Sequence, residues 1–516
     1  MQDLMAGFTV AAVALPLALA FGVSSGVDAS AGLITAIIGG IVIGALSGAS
    51  YQISGPTGAM AVILISLSNH YGIDGVLLAG LISGILLLIM AILQLGKLVS
   101  FIPISVISGF TSGIAIIIAL GQINNFFGNF KDSKNIIFTF SNFNIDYISL
   151  LFGVLTILII IFCPKKIQKY IPSSLIAIII VVLINIFFNK TPVVKEVGVI
   201  PKTLISENGL IFNISNLDLK NIKHLIEPAF SIAILGLIES LLCGASAGII
   251  KGEKLNSTRE LFAQGIGNII IPFFGGIPAT AAIARTSVVI KSGGQTRLAG
   301  IFHSIVLIAS MFLLGNIMSR IPLSSLAGVL IVTAFKMNDW KNIKSLFTKK
   351  MKTPLIQFLL TMISTVIFDL SIAILIGVVV SMLIFVLNSC NLKITISDVD
   401  KTRFKNKNFD KNIKVVYLTG PLFFGTQEQL TKNLENLNNL DGIIFSMRGV
   451  PSIDDSGINE LEHLIKNFKK TNTTVMFSGI QENVQYMFEK SGFIEKVGKE
   501  YFVWDALIAI QKLIDN

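Results

Sequence analysis

Continuous apolar runs alternate with short polar loops over most of this chain. A helix of roughly 20 apolar residues crosses the hydrocarbon core of a bilayer, and many runs between Met5 and Asn388 approach or reach that length. Because apolar and polar residues do not alternate within the runs, they favour helices over the strands of a membrane barrel. The pattern predicts a polytopic α-helical membrane protein surrounded by lipid.

Fourteen segments are predicted, seven in each half of this region. Their approximate bounds are 5–22, 30–48, 56–69, 73–95, 100–121, 147–163 and 172–188, then 228–249, 260–274, the short run after Pro278, 298–317, 321–336, 354–369 and 371–389. Two halves with an odd number of spans have opposite orientations, which defines a 7+7 inverted repeat. The interval from Pro16 to Pro56 is close to that from Glu239 to Pro278, which supports the repeat.

Two short phrases, Ser54–Ala59 and Gly276–Ala281, share a pattern of glycine, proline and small residues. The proline of each is predicted to occupy the first turn of a helix, where no backbone donor is lost. The apolar stretch that follows each proline is too short to span a bilayer, so both predict half-helices. The first turn of a helix has free N–H groups and the positive end of the dipole. Two such starts meeting inside a membrane would form an anion site.

Two charged residues, Glu239 and Arg285, lie well inside apolar segments, whereas Asp369 lies near a segment end. Arg285 is seven residues after Pro278, which predicts that it lies on the same helical face as Ala281. A buried arginine rarely faces lipid, so Arg285 is a candidate anion contact; the alternatives are a structural pair or a side chain extending to the membrane edge. Glu239 either carries a proton coupled to transport or balances Arg285.

The other candidate residues of the apolar region indicate little chemistry. Phe21 and Met60 are candidates for the apolar rim of a pocket or for plain packing. The spacing of the three cysteines suits neither zinc nor a disulfide framework. The four histidines do not cluster, so no metal is predicted, and no phosphate-binding G-x-x-x-x-G-K loop indicates ATP or another cofactor. No nucleophile, base and acid come together in the apolar region, which argues against an enzyme.

The chain has 516 residues, of which 53% are hydrophobic and 14% charged, with a formal net charge of +10. The positive charge does not indicate nucleic acid, because the lysines and arginines lie in loops between apolar segments. The loops after segments four, six, eight, ten and twelve carry them and fall on one side. The positive-inside rule then places both termini in the cytoplasm, which predicts a multi-pass protein of the cell (inner) membrane.

The composition changes after Cys390. Residues 391–412 are polar and lysine-rich and are interpreted as a linker between a transmembrane domain (1–390) and a C-terminal domain (413–516). In the latter, strand patterns at 415–418, 442–447 and 474–477 alternate with helical patterns at 455–470 and 482–490. Alternation of this kind predicts a small cytoplasmic α/β domain.

The phrases PLALAFGV, QISGPTGAMAVI, IESLLCG, NIIIPFFGGIPATAAIARTSV and GPLFFG resemble the SulP sulfate permease family of anion transporters. The C-terminal part is similar to that family's STAS domain. The resemblance implies a core domain moving against a gate domain, a homodimer, and a cytoplasmic partner of the STAS domain. It also implies substrate contacts, flanking positions and a membrane acid, which correspond here to Thr57, Gly58, Ala59, Ala281, Ala284 and Arg285, to Phe21 and Met60, and to Glu239.

The chain departs from the family pattern at two places. Leu17 stands where many members have glutamine, which removes a side-chain donor. The stretch Gly244–Gly248 has no acid, whereas some sodium-coupled relatives have an aspartate there; proton coupling or exchange is therefore favoured.

In the STAS-like domain, Asp454–Gly457 resembles the signature of phosphorylated antagonists, which makes Ser456 a candidate phosphosite. The alternative is that Asp455 or Ser456 caps the following helix.

Together these features predict a secondary active transporter of a small inorganic or carboxylate anion, such as sulfate, bicarbonate, chloride or a dicarboxylate. Transport would be by proton symport or exchange and by alternating access. An uncoupled anion channel or a sensor on the same scaffold is the alternative.

Overall fold

The computed structural model describes residues 1–97, 102–128, 145–168, 171–188, 194–201, 203, 219–368, 370–400, 411–434, 437 and 439–515. Asp369, residues 401–410 of the predicted linker and much of the polar stretch 189–225 lie outside this set. The chain divides into two compact units, Met1–Val378 and Val379–Asn516.

Helices and two short strands build the first unit. They are α1 (Gln2–Ser24), α2 (Ala29–Leu46), β1 (Ser54–Gly55), α3 (Gly58–Ile92), α4 (Ile104–Gly121), α5 (Ile123–Phe127), α6 (Tyr147–Phe162), α7 (Lys165–Gln168), α8 (Ser173–Phe188), α9 (Leu219–Lys251), α10 (Ser257–Ile270), β2 (Thr280–Ala281), α11 (Ile283–Lys291), α12 (Leu298–Met318), α13 (Leu323–Met337), α14 (Trp340–Thr348), α15 (Lys352–Ile367) and the first part of α16 (Leu370–Ser389). The boundary between the two units falls within α16. Seven helical stretches in the described residues are long and apolar enough to cross a membrane.

The fourteen predicted segments correspond to α1, α2, the two parts of α3, α4, α6, α8 to α13, α15 and α16. Most boundaries agree within a few residues. Helix α9 is longer than predicted and begins at Leu219, with Pro228 inside it. Helix α3 contains predicted segments three and four, which meet at a break in the helix at Gly72, where φ is 66° and ψ is −168°.

The helices of the first unit form two groups. Helices α1, α2, α3, α9, α10, α11 and α12 pack together, and α4, α5, α6, α8, α13 and α15 pack together. Glycine permits the closest crossings inside the first group, as is common between membrane helices. A Cβ at Gly32 of α2 would overlap the carbonyl oxygen of Ala18 in α1. Contacts of α1 with α13 and of α3 with α4 join the two groups.

The second unit contains a five-stranded sheet of β3 (Lys393–Asp398), β4 (Ile413–Thr419), β5 (Gly442–Gly449), β6 (Thr474–Ser478) and β7 (Phe502–Val503), in that order. Strand β3 is antiparallel to β4, and the other neighbours are parallel. Its helices are α17 (Gln427–Leu434), α18 (Asp455–Lys470), α19 (Glu482–Lys490), α20 (Phe493–Val497) and α21 (Ala506–Asp515). The prediction of a small α/β domain is confirmed.

Side chains alternate between the two faces of this sheet, as strand geometry requires. One face, with Val416, Phe445 and Phe477, forms a core with α17 to α20. The other face, with Val415 and Ile444, is covered by α21. That helix covers the side chains near the amino ends of the parallel strands and leaves their carboxyl ends less covered.

Two predictions about this unit are wrong. Residues 393–398 of the predicted linker form β3, because Ile394 and Ile396 pack against the sheet's core and the strand pairs with β4 along its whole length. Helix α18 is capped by Asp454, whose Oδ1 accepts a hydrogen bond from the Gly457 N–H at 2.9 Å. Neither Asp455 nor Ser456 is the cap, because the helix already begins at Asp455.

The break at Gly72 provides a stability prediction. Its φ and ψ lie in a region that only glycine populates readily, and a side chain held there costs about 1–3 kcal/mol. Gly72→Ala is expected to destabilise the protein by that amount, measured as a lower thermal unfolding temperature in detergent. No neighbouring atom would touch the new methyl group, so the effect would report backbone strain alone.

Gly121→Ala is the matched control, because Gly121 is helical and a Cβ there also meets open space. Alanine is more favourable than glycine in a helix by about 1 kcal/mol, so Gly121→Ala is expected to keep or raise the unfolding temperature. Equal unfolding temperatures for Gly72→Ala and the unmodified protein would contradict the strained conformation.

Candidate functional site

The two glycine-proline phrases meet in the structure. Strands β1 and β2 pair in antiparallel fashion, with Ser54 opposite Ala281 and Gly55 opposite Thr280. The pairing joins the two halves of the first unit. A further backbone bond, from the Ala282 N–H to the Ile53 carbonyl at 2.9 Å, extends it by one residue.

Both prolines lie outside the helices that follow them, so their predicted place in the first helical turn is wrong. Pro56 precedes the cap Thr57, and α3 begins at Gly58. Pro278 precedes β2, and α11 begins only at Ile283. The extended conformation prevails because a residue before proline avoids the helical region and because the strands pair with each other.

Thr57 links the start of α3 to the acid of α9. Its hydroxyl accepts a hydrogen bond from the Met60 N–H at 3.4 Å and donates one to Glu239 Oε2 at 2.9 Å. Thr57 is buried, and Glu239 is half-buried. Helix α9 therefore contacts α3 at its first turn through a carboxylate.

Arg285 is the third residue of α11 and lies 1% exposed. Its Nη2 donates a hydrogen bond to the Pro56 carbonyl, so the side chain crosses from one helix start to the other. Its Nη1 is buried and has no hydrogen-bond partner among the described residues. Arg285 interacts electrostatically with Glu239, but the described structure contains no direct ion pair between them.

The predicted site residues in and after the second phrase, Ala281, Ala284 and Arg285, do not share one environment. Ala281 is buried in β2, so it does not share a helical face with Arg285 as predicted, because the chain is extended there. Ala284 is in the first turn of α11 but is exposed, unlike its neighbour Arg285. The cap position of α11 is Ala282, which has no side-chain acceptor for the first N–H groups.

Phe21 and Met60 differ in their surroundings. Phe21 and Gly58 line a cavity of about 110 Å³ whose other residues include Ala61, Ile118 and Gln122. The cavity lies between the two groups of helices, next to the first turn of α3. Met60 is 1% exposed and packs in the apolar core.

Several polar residues that the sequence analysis did not identify hold the paired strands. The Thr280 and Ser240 hydroxyls are 2.9 Å apart, and Thr35 Oγ1 donates to the Ile277 carbonyl at 3.0 Å. Thr286 Oγ1 accepts from the Ile53 N–H at 3.1 Å. Isolated serines and threonines in apolar segments carry no distinctive signal, since they also bond their own helix.

Comparison with known proteins identifies the family. Residues 1–363 match the sulfate permease family, and residues 405–504 match the STAS domain. This chain belongs to the sulfate permease family. Its second unit therefore contains a STAS domain, and the resemblance inferred from the sequence is confirmed.

The relatives of this sulfate permease family member are transporters rather than enzymes. YvdB of Bacillus subtilis is 33% identical over 512 residues, covering 97% of this chain and 95% of YvdB. The bicarbonate transporter BicA of Picosynechococcus is 29% identical over 520 residues, covering 96% of this chain and 91% of BicA. The solved structure of SLC26A9 shares the fold, with a TM-score of 0.83 and 19% identity, over 99% of this chain and 90% of that one.

The STAS domain of this family member has its own cavity, of about 550 Å³, at the carboxyl ends of β4, β5 and β6. Tyr417, Arg448 and Trp504 line it. Ser456 is half-buried in the first turn of α18, and its carbonyl accepts a hydrogen bond from Gln427 at 2.9 Å. Phosphorylation of Ser456 and a partner of the STAS domain both stay predictions.

The double role of Thr57 can be tested by substitution. Thr57→Val removes both the helix cap and the donor to Glu239, and loss of a cap alone costs about 1 kcal/mol. The expected result is a lower thermal unfolding temperature of the purified protein in detergent. Thr57→Ser keeps the hydroxyl and should unfold close to the unmodified protein. An unchanged unfolding temperature for Thr57→Val would contradict the double role of the hydroxyl.

Proposed function

We propose that this chain is a secondary active transporter of a small anion, which binds between the starts of α3 and α11. The observation that carries the proposal is the meeting of these two starts across the β1–β2 pair, with Arg285 of one reaching Pro56 beside the other. Carriers with inverted repeats commonly bind their substrate at such broken helices near the middle of the membrane.

The donors for the anion are backbone N–H groups. The first residues of a helix have no intrahelical acceptor, and in lipid such groups need a partner. Thr57 provides an acceptor for Met60 only, which leaves Gly58 and Ala59 as donors at the start of α3. At the start of α11, Ala282 provides no side-chain acceptor. An anion would satisfy both sets of donors.

Arg285 adds positive potential that no ordinary pH change removes, because a guanidinium stays protonated. Its Nη1, buried and without a partner in the described residues, is a ready donor. The Glu239 carboxylate offsets part of this charge. This opposing charge moderates the affinity for the anion, so that the anion can be released.

This chemistry does not select one anion among the candidates. Backbone N–H groups accept sulfate, bicarbonate, chloride or a carboxylate alike, and the buried Leu17 adds no donor. The family's description as sulfate permeases and the bicarbonate transporter BicA among the relatives support sulfate and bicarbonate as the first anions to test.

Alternating access would move one group of helices against the other. The cavity beside Phe21 and Gly58 lies at the boundary between the groups, as a substrate path requires. Glu239 is the proposed carrier of a coupled proton, because its carboxylate accepts a hydrogen bond from Thr57 at the proposed anion site. Exchange of one anion for another is the alternative form of coupling.

The surroundings of the carrier are proposed from the loop charges and from the family. Both termini and the STAS domain would lie in the cytoplasm, the chain would reside in the cell membrane, and the assembly would be a homodimer. A cytoplasmic protein that binds the STAS domain would regulate transport.

Arg285→Ala is expected to weaken anion binding by about tenfold or more, since a hydrogen bond to a charged group contributes about 1.5–3 kcal/mol. The measurement is a titration of the purified protein with sulfate and with bicarbonate. Lys291→Ala is the control, because it removes the same charge from the exposed end of the same helix. Equal affinities for both variants would remove Arg285 from the site.

Glu239→Gln is expected to abolish the dependence of uptake on a proton gradient, because glutamine accepts the Thr57 hydrogen bond but carries no proton. The assay is radiolabelled uptake into proteoliposomes with imposed proton and sodium gradients, and Glu253→Gln is the control. Uptake that still follows the proton gradient would reject the coupling role. Uncoupled current without trans-stimulated uptake would indicate a channel instead of a carrier.

A further inference from the structure

Helix α10 carries three polar side chains that are almost completely buried. Glu260 and Gln264 are 0% exposed, and Asn268 is 1% exposed. Residues four apart lie on one face of a helix, so the three form a stripe along α10. Burying polar groups is costly unless each finds a hydrogen-bond partner, and the partners show what the stripe does.

Asn268 bonds both backbone groups of one residue. Its Nδ2 donates to the Ala279 carbonyl at 2.9 Å, and its Oδ1 accepts from the Ala279 N–H at 2.7 Å. The side-chain amide thus pairs with the backbone as a neighbouring strand would. Ala279 immediately precedes β2, so Asn268 fixes the second phrase of the site directly before the paired strands.

Gln264 bonds the other strand. Its Nε2 donates to Ser54 Oγ at 2.9 Å and to Glu260 Oε1 at 2.9 Å. Ser54 is the first residue of β1. Glu260 in turn accepts hydrogen bonds through Oε2 from the Ser47 hydroxyl at 2.6 Å and from the Gly48 N–H at 2.9 Å, which holds the loop that leads into β1.

The two strands therefore share one support. A ladder of two residue pairs is too short to fix its own geometry, since even whole isolated hairpins are only marginally stable. Helix α10 contacts β1 through Gln264 and the approach to β2 through Asn268, one helical turn apart. Their separation along a rigid helix sets where the starts of α3 and α11 lie relative to each other.

We propose that Gln264 and Asn268 are positioning residues for the anion site, on which they act through their hydrogen bonds to β1 and to the residue before β2. They act by holding the two helix starts at the spacing that lets both sets of N–H groups point at one anion, with Glu260 anchoring the stripe. This inference rests on the proposed function, because it assumes that an anion binds at those starts.

Asn268→Leu tests the inference, because leucine is close in size to asparagine but cannot bond Ala279. The matched control is Asn185→Leu. Asn185 is also 1% exposed and its amide also bonds a backbone carbonyl, that of Arg320, but it lies in α8, away from the paired strands. Both variants lose a buried amide, so both should lose thermal stability.

Only Asn268→Leu is expected to raise the dissociation constants for sulfate and bicarbonate, by about tenfold or more. It should also increase hydrogen exchange in the peptide 276–283 relative to the unmodified protein. Gln264→Met, which removes the bonds to Ser54 and to Glu260, is the second variant and should act in the same direction if Asn268→Leu does not fold. Unchanged anion affinity or unchanged exchange in the folded variant would overturn the inference.

The outcome separates this inference from the proposed function. If Arg285→Ala weakens anion binding and Asn268→Leu does not, the site stands and its support by α10 is wrong. If the unmodified protein binds neither sulfate nor bicarbonate, the proposed function fails for these anions, and the exchange of peptide 276–283 still reports whether Asn268 holds the strand.

Discussion

The backbone pairing of Ser54–Gly55 with Thr280–Ala281 is the constraint on which the first unit, Met1–Val378, depends. Inside a membrane, backbone that leaves the helical conformation must find hydrogen bonds elsewhere in the protein. Here the two extended segments bond each other, and buried side chains from α2, α9, α10 and α11 bond further backbone groups in and beside them. The first unit can therefore contain two extended segments between apolar helices with these backbone groups hydrogen-bonded.

The same constraint explains the placement of charge. Arg285 bonds the Pro56 carbonyl, and Thr57 connects α3 to Glu239. Neither charge is isolated in an apolar environment, yet the two do not pair directly in the described structure. Under the proposed function, the Arg285 N–H that has no partner among the described residues is the donor that binds the anion.

Much of the fold follows from the sequence. The segments were predictable because apolar length in a membrane chain is a strong signal. Strands β4, β5 and β6 and helices α18 and α19 of the STAS domain were predictable because strand and helix patterns alternate there. The prolines of Ser54–Ala59 and Gly276–Ala281 misled the placement of the helix starts, since local preference at proline does not reveal a partner about 220 residues away. The strand at residues 393–398 was missed for the same reason, because a polar, lysine-rich segment does not show locally that it pairs with β4.

The candidate site was predictable in part. Arg285 and Glu239 are conspicuous as charges in apolar segments, whereas Ala284 lies on the exposed side of α11, which only the observed start of that helix determines. The stripe on α10 did have a signal, because Glu260, Gln264 and Asn268 recur every four residues along this helix. Its function depends on strands that the local pattern does not predict.

The most direct measurement is the location of a heavy anion in crystals of the protein, using the anomalous scattering of bromide or selenate. A peak within hydrogen-bonding distance of the Gly58 and Ala59 N–H groups and of the first turn of α11 is predicted. A peak at another place in the membrane unit, or none at a concentration that saturates binding in solution, would contradict a binding site made from the two helix starts.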